Sequence, residues 1–164
     1  IPTQGSAVTR LADVCNNGAN EQVINSTEGV LYFEALFGQQ ESTSRYISIN
    51  DESSSNRVLI GVSGGTNILR GFVFSGSVQQ AQIIDTVDLS ETLKLAISYK
   101  QNEIKFFKNG FQVSSTVTSA ITPVGLSVLD FDDSMNAKFY GNVKEIKLYN
   151  NALTDQELQA LTTI

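Results

Sequence analysis

Short segments in which apolar and polar residues alternate dominate this chain. The segment 29–37 is an example, because every second position carries an apolar residue: Leu31, Phe33, Ala35 and Phe37. This period of two is that of a β-strand, whose successive side chains point to opposite faces. Turn-forming residues separate such segments about every 8–12 residues, and the one helical pattern lies at the C-terminus. The sequence therefore predicts an all-β sandwich rather than alternating β and α units.

The predicted strands differ in how polar their second face is. In the segment 29–37 the second face carries Val30, Tyr32, Glu34 and Leu36, which is only partly polar, so this strand is predicted to be central in its sheet. Thr9–Val14 is predicted to be an edge strand. The remaining strands are predicted at 44–50, 57–63, 67–74, 77–84, 92–100, 103–108, 111–113 and 125–131, with a loop or sheet edge at Pro123.

One turn and one strand irregularity have a specific signature in the sequence. Asn109 and Gly110 both tolerate positive φ, which predicts a two-residue type I′ hairpin turn. In the final strand, predicted from Ala137, the apolar parity changes after Val143, because the next apolar residues are Ile146 and Leu148. One extra residue near Lys144 or Glu145 would restore the register, which predicts a β-bulge there.

The C-terminal residues predict a capped helix. Thr154 is a favourable N-cap, and Glu157 three residues later completes a capping box. Leu153 and Leu158 occupy the N′ and N4 positions of a hydrophobic staple, and Leu161 shares the helix face of Leu158.

Composition restricts the function classes. The 164 residues suit one domain, here taken as 1–164. The net charge of −6 and the lack of a basic stripe argue against binding to nucleic acid or to an anionic membrane surface. No apolar run is long enough for membrane insertion. Cys15 is the only cysteine and is predicted to be a buried or half-buried thiol.

Three motifs resemble laminin G-like domains of the concanavalin A-like lectin and glucanase group. The tail, F-x-G-x-V-x-x-I-x-L-Y followed by A-L-T-x-x-E-L, looks like their last strand and closing helix. The hairpin I-K-F-F-K-N-G-F-Q-V is similar to their strand, Asn-Gly and strand pattern. The first 15 or so residues resemble segments that open such domains in tailed-phage and prophage virion proteins. The resemblance implies a two-sheet antiparallel jelly roll within a longer protein, located on a virion or on a cell surface.

Catalysis is not expected. The chain has no histidine, which removes Ser-His-Asp and Cys-His sites. The glucanases that the chain resembles use a strand carrying E-x-D-x-x-E or E-x-D-x-E, and no such run occurs here. Asp130 and Asp132 share a parity but lack the Glu partner. A glycoside hydrolase or lyase is therefore the last of the three functional hypotheses.

Two kinds of binding site are predicted. Asp130, Asp132 and Asp133 form a candidate calcium site, with Asp51 and Glu52 as a weaker one; the alternative is a solvated acidic turn. A glycan site could use outward aromatic, acidic and arginine side chains, for which the candidates are Tyr32, Glu34, Tyr46, Arg57, Arg70 and Tyr99. The alternative is that Tyr32 and Tyr99 belong to the core and that the arginines pair with nearby acids. The absence of tryptophan weakens the glycan hypothesis.

The leading functional hypothesis is a non-catalytic recognition module, directed at a glycan such as a host-surface polysaccharide. It would be carried by a phage virion or a cell-surface protein. The alternative is a purely structural or protein–protein interaction domain whose partners are other virion or surface-protein subunits.

Overall fold

Ten strands and one helix make up the fold in residues 19–164, which are the residues that the computed structural model describes. Cys15 and the edge strand predicted at Thr9–Val14 lie outside this range. The elements are β1 (Glu28–Leu36), β2 (Arg45–Asn50), β3 (Arg57–Val62), β4 (Ile68–Ser75), β5 (Val78–Thr86), β6 (Thr92–Lys100), β7 (Glu103–Lys108), β8 (Phe111–Gln112), β9 (Val128–Asp130), β10 (Asn142–Tyr149) and α1 (Asp155–Thr162).

These strands form two five-stranded sheets. Sheet A has the order β10-β1-β6-β7-β8, and sheet B has the order β5-β4-β3-β2-β9. All neighbouring strands pair antiparallel. The predicted class is thus confirmed: two antiparallel sheets and one short C-terminal helix in an all-β jelly-roll sandwich.

The main core lies between the two sheets. Strands of both sheets contribute inward residues, such as Leu31 and Phe33 from β1 and Ile47 and Ile49 from β2, all at most 1% exposed. Phe139 joins this core from the segment before β10, and its ring centroid lies 5.3 Å from that of Phe37. Burial of these side chains is the main source of stability.

A second apolar layer explains the mixed character of β1. This strand lies between β10 and β6, so its predicted central position is confirmed. Helix α1 packs on the outer face of sheet A, where Leu158 is fully buried. Its partners in this layer are Val30, Tyr32, Ala96 and Phe107. The apolar residues on both faces of β1 therefore meet two different apolar layers.

The predicted bulge in β10 is confirmed. Glu34 of β1 pairs with Glu145, whereas the next residue, Ala35, pairs with Val143, so Lys144 is the extra residue. The predicted start of this strand at Ala137 is wrong, because β10 begins at Asn142.

Segments at the sheet B edge are less regular than predicted. The backbone of Lys138 makes an isolated bridge with Tyr46 of sheet B, and Phe139 then donates its N–H to the carbonyl of Phe131. The chain is thus held at the β2–β9 edge of sheet B before it enters sheet A. The strand predicted at 125–131 is reduced to Val128–Asp130, and Gly125 has a φ of 69°.

The helix cap and the hairpin turn agree with prediction. The Glu157 N–H donates to Thr154 Oγ1 at 3.3 Å, and Glu157 Oε2 accepts from the Thr154 N–H at 2.8 Å. The Thr154 hydroxyl also donates to Glu157 Oε2 at 2.7 Å, and this bond, with that of the Thr154 N–H, holds the pKa of Glu157 below its ordinary value. Asn109 and Gly110 have φ values of 49° and 86°, as a type I′ turn requires.

Candidate functional site

The six predicted glycan residues lie in three separate places. Tyr46, Arg57 and Arg70 share the outer face of sheet B, as the strand register requires. Tyr32 and Glu34 lie on the outer face of sheet A. Tyr99 lies inside the sandwich. The structure therefore brings three of the six together.

The outward placement of Tyr99 is wrong. It has the parity of Leu95 and Ile97, whose side chains are buried between the sheets, and it is only 1% exposed. Its hydroxyl donates to the Asn25 carbonyl at 2.7 Å. Burial raises the pKa of this hydroxyl well above its ordinary value. Tyr99 is thus a core residue, which was the alternative considered for it.

Tyr32 and Glu34 face outward from sheet A but are engaged there. Tyr32 is 1% exposed because α1 covers it, and burial, helped by the charge of Glu34, raises its pKa to about 12. The Glu34 carboxylate lies 3.2 Å from Lys144 Nζ and 4.0 Å from Lys94 Nζ. Neither residue adjoins the other candidates on sheet B.

The outer face of sheet B combines aromatic rings with two guanidinium groups. Tyr46 and Phe72 have centroids 6.3 Å apart, and the Phe72 and Phe74 centroids are 5.9 Å apart. Arg57 lies opposite Phe74 in the β3–β4 register. Arg70 lies one row further along β4, beyond Phe72. We call these five residues, Tyr46, Arg57, Arg70, Phe72 and Phe74, the aromatic–arginine face.

Arg57 is held in place by its neighbours. Its guanidinium carbon lies 4.6 Å from the Phe74 centroid, a cation–π distance. It also donates a hydrogen bond to the carbonyl oxygen of Asp133. Burial lowers the pKa of Arg57, and the charge of Asp133 opposes that shift. At 8% exposure, Arg57 is the more enclosed of the two arginines.

Arg70 has a different environment. It is partly exposed, and its Nε is shielded from solvent without a hydrogen-bond acceptor. It forms no ion pair with any residue of the described range 19–164, which differs from the pairing with local acids considered from the sequence. Arg70 is therefore a partly exposed charged group on this face.

The sequence pattern contained Phe72 and Phe74 but did not identify them as site residues. They share the parity of Arg70 along β4, while Leu69, Gly71 and Val73 are buried on the inner face. Both phenylalanines are only partly buried, which the outward parity of Arg70 implies. The parity that they share with Arg70 was the signal available in the sequence.

Open clefts also occur elsewhere on the molecule. One of about 500 Å³ is lined by residues 21–27 together with Gly125, Leu126 and Asn150. Its lining mixes polar and aliphatic side chains and has no aromatic ring. On the aromatic–arginine face, the partly exposed rings of Phe72 and Phe74 offer a stacking surface beside fixed guanidinium donors, and Tyr46, at 6% exposure, packs against Phe72. We therefore place the candidate site on that face.

The three aspartates predicted to bind calcium each have a local partner. Asp130 accepts from Asn50 Nδ2 at 2.9 Å, and Asp132 accepts from the Ser134 N–H at 2.5 Å. Asp133 accepts from the N–H groups of Met135 and Ala137 at 2.8 and 2.9 Å. Within residues 19–164, no three acidic or cysteine side chains are grouped as a metal site. Calcium binding here stays a prediction without geometric support.

The weaker calcium candidate has a structural role as well. Asp51 accepts hydrogen bonds from Ser53 and Asn56. Burial raises the pKa of Asp51, but these hydrogen bonds outweigh it and the pKa is lowered overall. Glu52 follows with a φ of 64°. These contacts organise the turn between β2 and β3.

A family comparison agrees with this architecture. Residues 31–159 match a laminin G family model that is described as the concanavalin A-like lectin/glucanases superfamily. The chain belongs to this family. No curated protein sequence matches it.

Solved structures with the same fold include several proteins at low identity. The CBM40 of the Ruminococcus gnavus IT-sialidase, bound to α2,3-sialyllactose, has a TM-score of 0.67 at 14% identity over 84% of each chain. The SAP-like pentraxin of Limulus polyphemus has a TM-score of 0.61 at 9% identity, over 86% of this chain and 72% of its own. The binding domain of botulinum neurotoxin DC in complex with SialylT has a TM-score of 0.60 at 13% identity, over 83% of this chain and 35% of its own.

Membrane insertion was not expected from the sequence. In the part of the chain that the structure covers, α1 has eight residues, and no helix has the length and apolar character to cross a bilayer.

Proposed function

We propose that this domain is a non-catalytic carbohydrate-binding module that binds glycans on the aromatic–arginine face. The observation that carries this proposal is the convergence of Tyr46, Phe72 and Phe74 with Arg57 and Arg70 on one sheet face. Aromatic rings provide flat apolar surfaces for sugar rings, and guanidinium groups donate several hydrogen bonds in a fixed geometry.

Proteins of similar fold support this choice of ligand. The CBM40 structure is described as bound to sialyllactose, and the neurotoxin binding domain as in complex with SialylT. At 14% and 13% identity these likenesses concern the fold. The transfer of glycan binding to this chain therefore rests on its own side chains.

A binding role suits the acidic residues better than hydrolysis does. Glycosidases place two carboxyl groups on either side of the scissile bond, one as acid and one as nucleophile or base. The pair with shared parity, Asp130 and Asp132, is instead occupied by hydrogen bonds from Asn50 and Ser134. These carboxylates hold the fold around the face, and we propose no catalytic residue.

The decisive experiment measures glycan binding to the whole chain. A glycan array, followed by calorimetric titration of the hits, is expected to find ligands whose affinity falls about tenfold or more in Phe72→Ala. Lys100→Gln, on the opposite sheet, is the matched control and should bind as the parent does. The melting temperature of each variant must show that it is folded. Absence of any glycan ligand would contradict the proposal and favour the structural alternative.

We further propose that the domain belongs to a phage virion or a cell-surface protein. The support is the resemblance of the first 15 or so residues to segments that open such domains in virion proteins. An antibody against this domain should label purified phage particles or the surface of intact cells. Labelling confined to the cell interior would contradict this part of the proposal.

A further inference from the structure

We propose that the ligand of the aromatic–arginine face is an acidic glycan, whose carboxylate or sulfate groups pair with Arg70 and, towards the other end of the face, with Arg57. The inference depends on the proposed function, because it specifies which class of glycan the face selects. Three observations lead to it.

The first observation concerns buried polar atoms without a partner. Within residues 19–164 these are Arg57 Nε, Arg70 Nε and Ser134 Oγ. Two belong to the face itself, and Ser134 directly follows Asp133, whose carbonyl accepts from Arg57. Buried polar groups in folded proteins are nearly always paired. Two of these three side-chain atoms lie on one face, so the protein's own acceptors leave part of the hydrogen-bonding capacity of its arginines unused.

The chemistry of these atoms defines the missing partner. An arginine Nε is a donor only, and a serine hydroxyl can donate as well. The partner must therefore be rich in acceptors. Carboxylate and sulfate oxygens fit best, because the planar guanidinium matches such groups with two parallel hydrogen bonds. The hydroxyl groups of a neutral sugar would accept more weakly.

The second observation is the charge balance. The chain has 17 acidic and 11 basic residues. Five lysines form ion pairs with carboxylates: Lys94, Lys105, Lys108, Lys144 and Lys147. Neither arginine of the face forms an ion pair with a described residue, although the chain has acid in excess; Arg57 bonds to a backbone carbonyl instead. An unneutralised guanidinium on an accessible face is a site for an external anion.

The third observation is the spacing of the two arginines. Arg57 pairs with Phe74 and Arg70 pairs with Gly61, so they lie four residues apart along the β3–β4 ladder. At about 3.3 Å per residue this separation is about 13 Å along the strands, with Phe72 between them. One acidic group cannot contact both. The geometry therefore fits an oligosaccharide that carries acidic groups on different sugar units.

The two ends of the face differ in access. The loop Asp132–Asn136 contacts Arg57, and two of its residues, Ser134 and Asn136, have φ values of 64° and 80°. The Arg70 end is the more exposed. Arg70 is therefore the primary anchor. Since its Nε is shielded, an acidic group must reach its terminal nitrogens or displace a neighbouring side chain.

Matched pairs of neutral and acidic glycans test this inference. Lactose is compared with 3′-sialyllactose and 3′-sulfolactose, and dextran with dextran sulfate, by calorimetry at low and high salt. We expect an acidic member to bind about tenfold or more tightly than its neutral partner, with the advantage falling as salt rises. Whether the sialylated or the sulfated form prevails identifies the acidic group.

Variants separate charge recognition from folding. Arg70→Gln should lose about tenfold or more in affinity for the acidic glycan and clearly less for the neutral one, because only the acidic glycan also loses a charge pair. Arg70→Lys should recover part of the loss. Lys100→Gln removes an equal charge elsewhere and should change nothing. Because Arg70 has no partner among the described residues, these variants should melt as the parent does.

The outcomes distinguish this inference from the proposed function. Equal binding of neutral and acidic partners, or an unchanged acidic affinity in Arg70→Gln, would overturn the inference and leave a neutral-glycan module. A domain that binds no member of either pair, nor any glycan on the array, would overturn both.

Discussion

Replacement of Thr162 by valine tests how α1 is attached to the sandwich. Thr162 is fully buried in the last turn of α1. Its hydroxyl donates to the Leu158 carbonyl at 2.8 Å and accepts from the Gly110 N–H at 3.1 Å. This one oxygen thus links the helix to the Asn109–Gly110 turn of the β7–β8 hairpin. Valine has nearly the same shape as threonine, but it cannot accept a hydrogen bond from the Gly110 N–H.

The expected cost follows from these two hydrogen bonds. A buried donor left without an acceptor costs about 1–3 kcal/mol. The new methyl group is buried at the same position and recovers about 0.8 kcal/mol. The net loss in the free energy of unfolding is then about 0.2–2 kcal/mol. For a domain of this size, the upper end corresponds to a fall of about 4–8 °C in melting temperature.

Urea unfolding and differential scanning calorimetry measure this loss directly. The matched control is Thr163→Val, because the Thr163 hydroxyl bonds to the Gln159 carbonyl at 2.7 Å on the exposed side of the helix end. The control should change stability by less than about 0.5 kcal/mol. If Thr162→Val proves as stable as the parent, the hydroxyl does not satisfy Gly110 and the proposed link is wrong.

Three further perturbations follow from the structure. Gly61→Ala should lower the melting temperature by at least about 6 °C, because the new Cβ would lie 1.9 Å from the Arg45 carbonyl oxygen and 2.5 Å from Tyr46 Cδ1. Gly71→Ala is the milder control, because the nearest neighbours of its new Cβ lie at 3.6 Å. Thr154→Ala removes the capping box and should cost about 0.5–2 kcal/mol at neutral pH, as measured by urea unfolding. Because the pKa of Glu157 is lowered in the folded state, its contribution to stability is complete above the ordinary value of 4.5 and is lost as the pH falls through the folded value. The stability difference between the parent and Thr154→Ala should therefore shrink at low pH. A difference that stays constant with pH would contradict the assignment. If calcium binds at Asp130, Asp132 and Asp133, added calcium should raise the melting temperature, and Asp132→Asn should abolish this rise. A melting temperature that changes with neither calcium nor EDTA would contradict calcium binding.

Features set by a few neighbouring residues could be predicted from the sequence. The capping box needs only Thr154 and Glu157, and the type I′ turn needs only Asn109 and Gly110. The bulge at Lys144 could be placed because the apolar parity of β10 changes within one strand. The start of β10 could not, because the bridge of Lys138 to Tyr46 depends on how the two sheets are arranged.

The candidate site could be predicted only in part from the sequence. A period of two identifies the residues of one strand that share a face, but it does not say which strands lie side by side or what covers them. Tyr32 and Tyr46 both have outward parity, yet both are buried: Tyr32 lies under α1 on sheet A, and Tyr46 is 6% exposed beside Phe72 on sheet B. A partial signal existed, because the apolar stripe of α1 at Leu158 and Leu161 had to pack against an outward face that is apolar. The face with Val30 and Tyr32 meets this condition better than a face with two arginines, and α1 packs there.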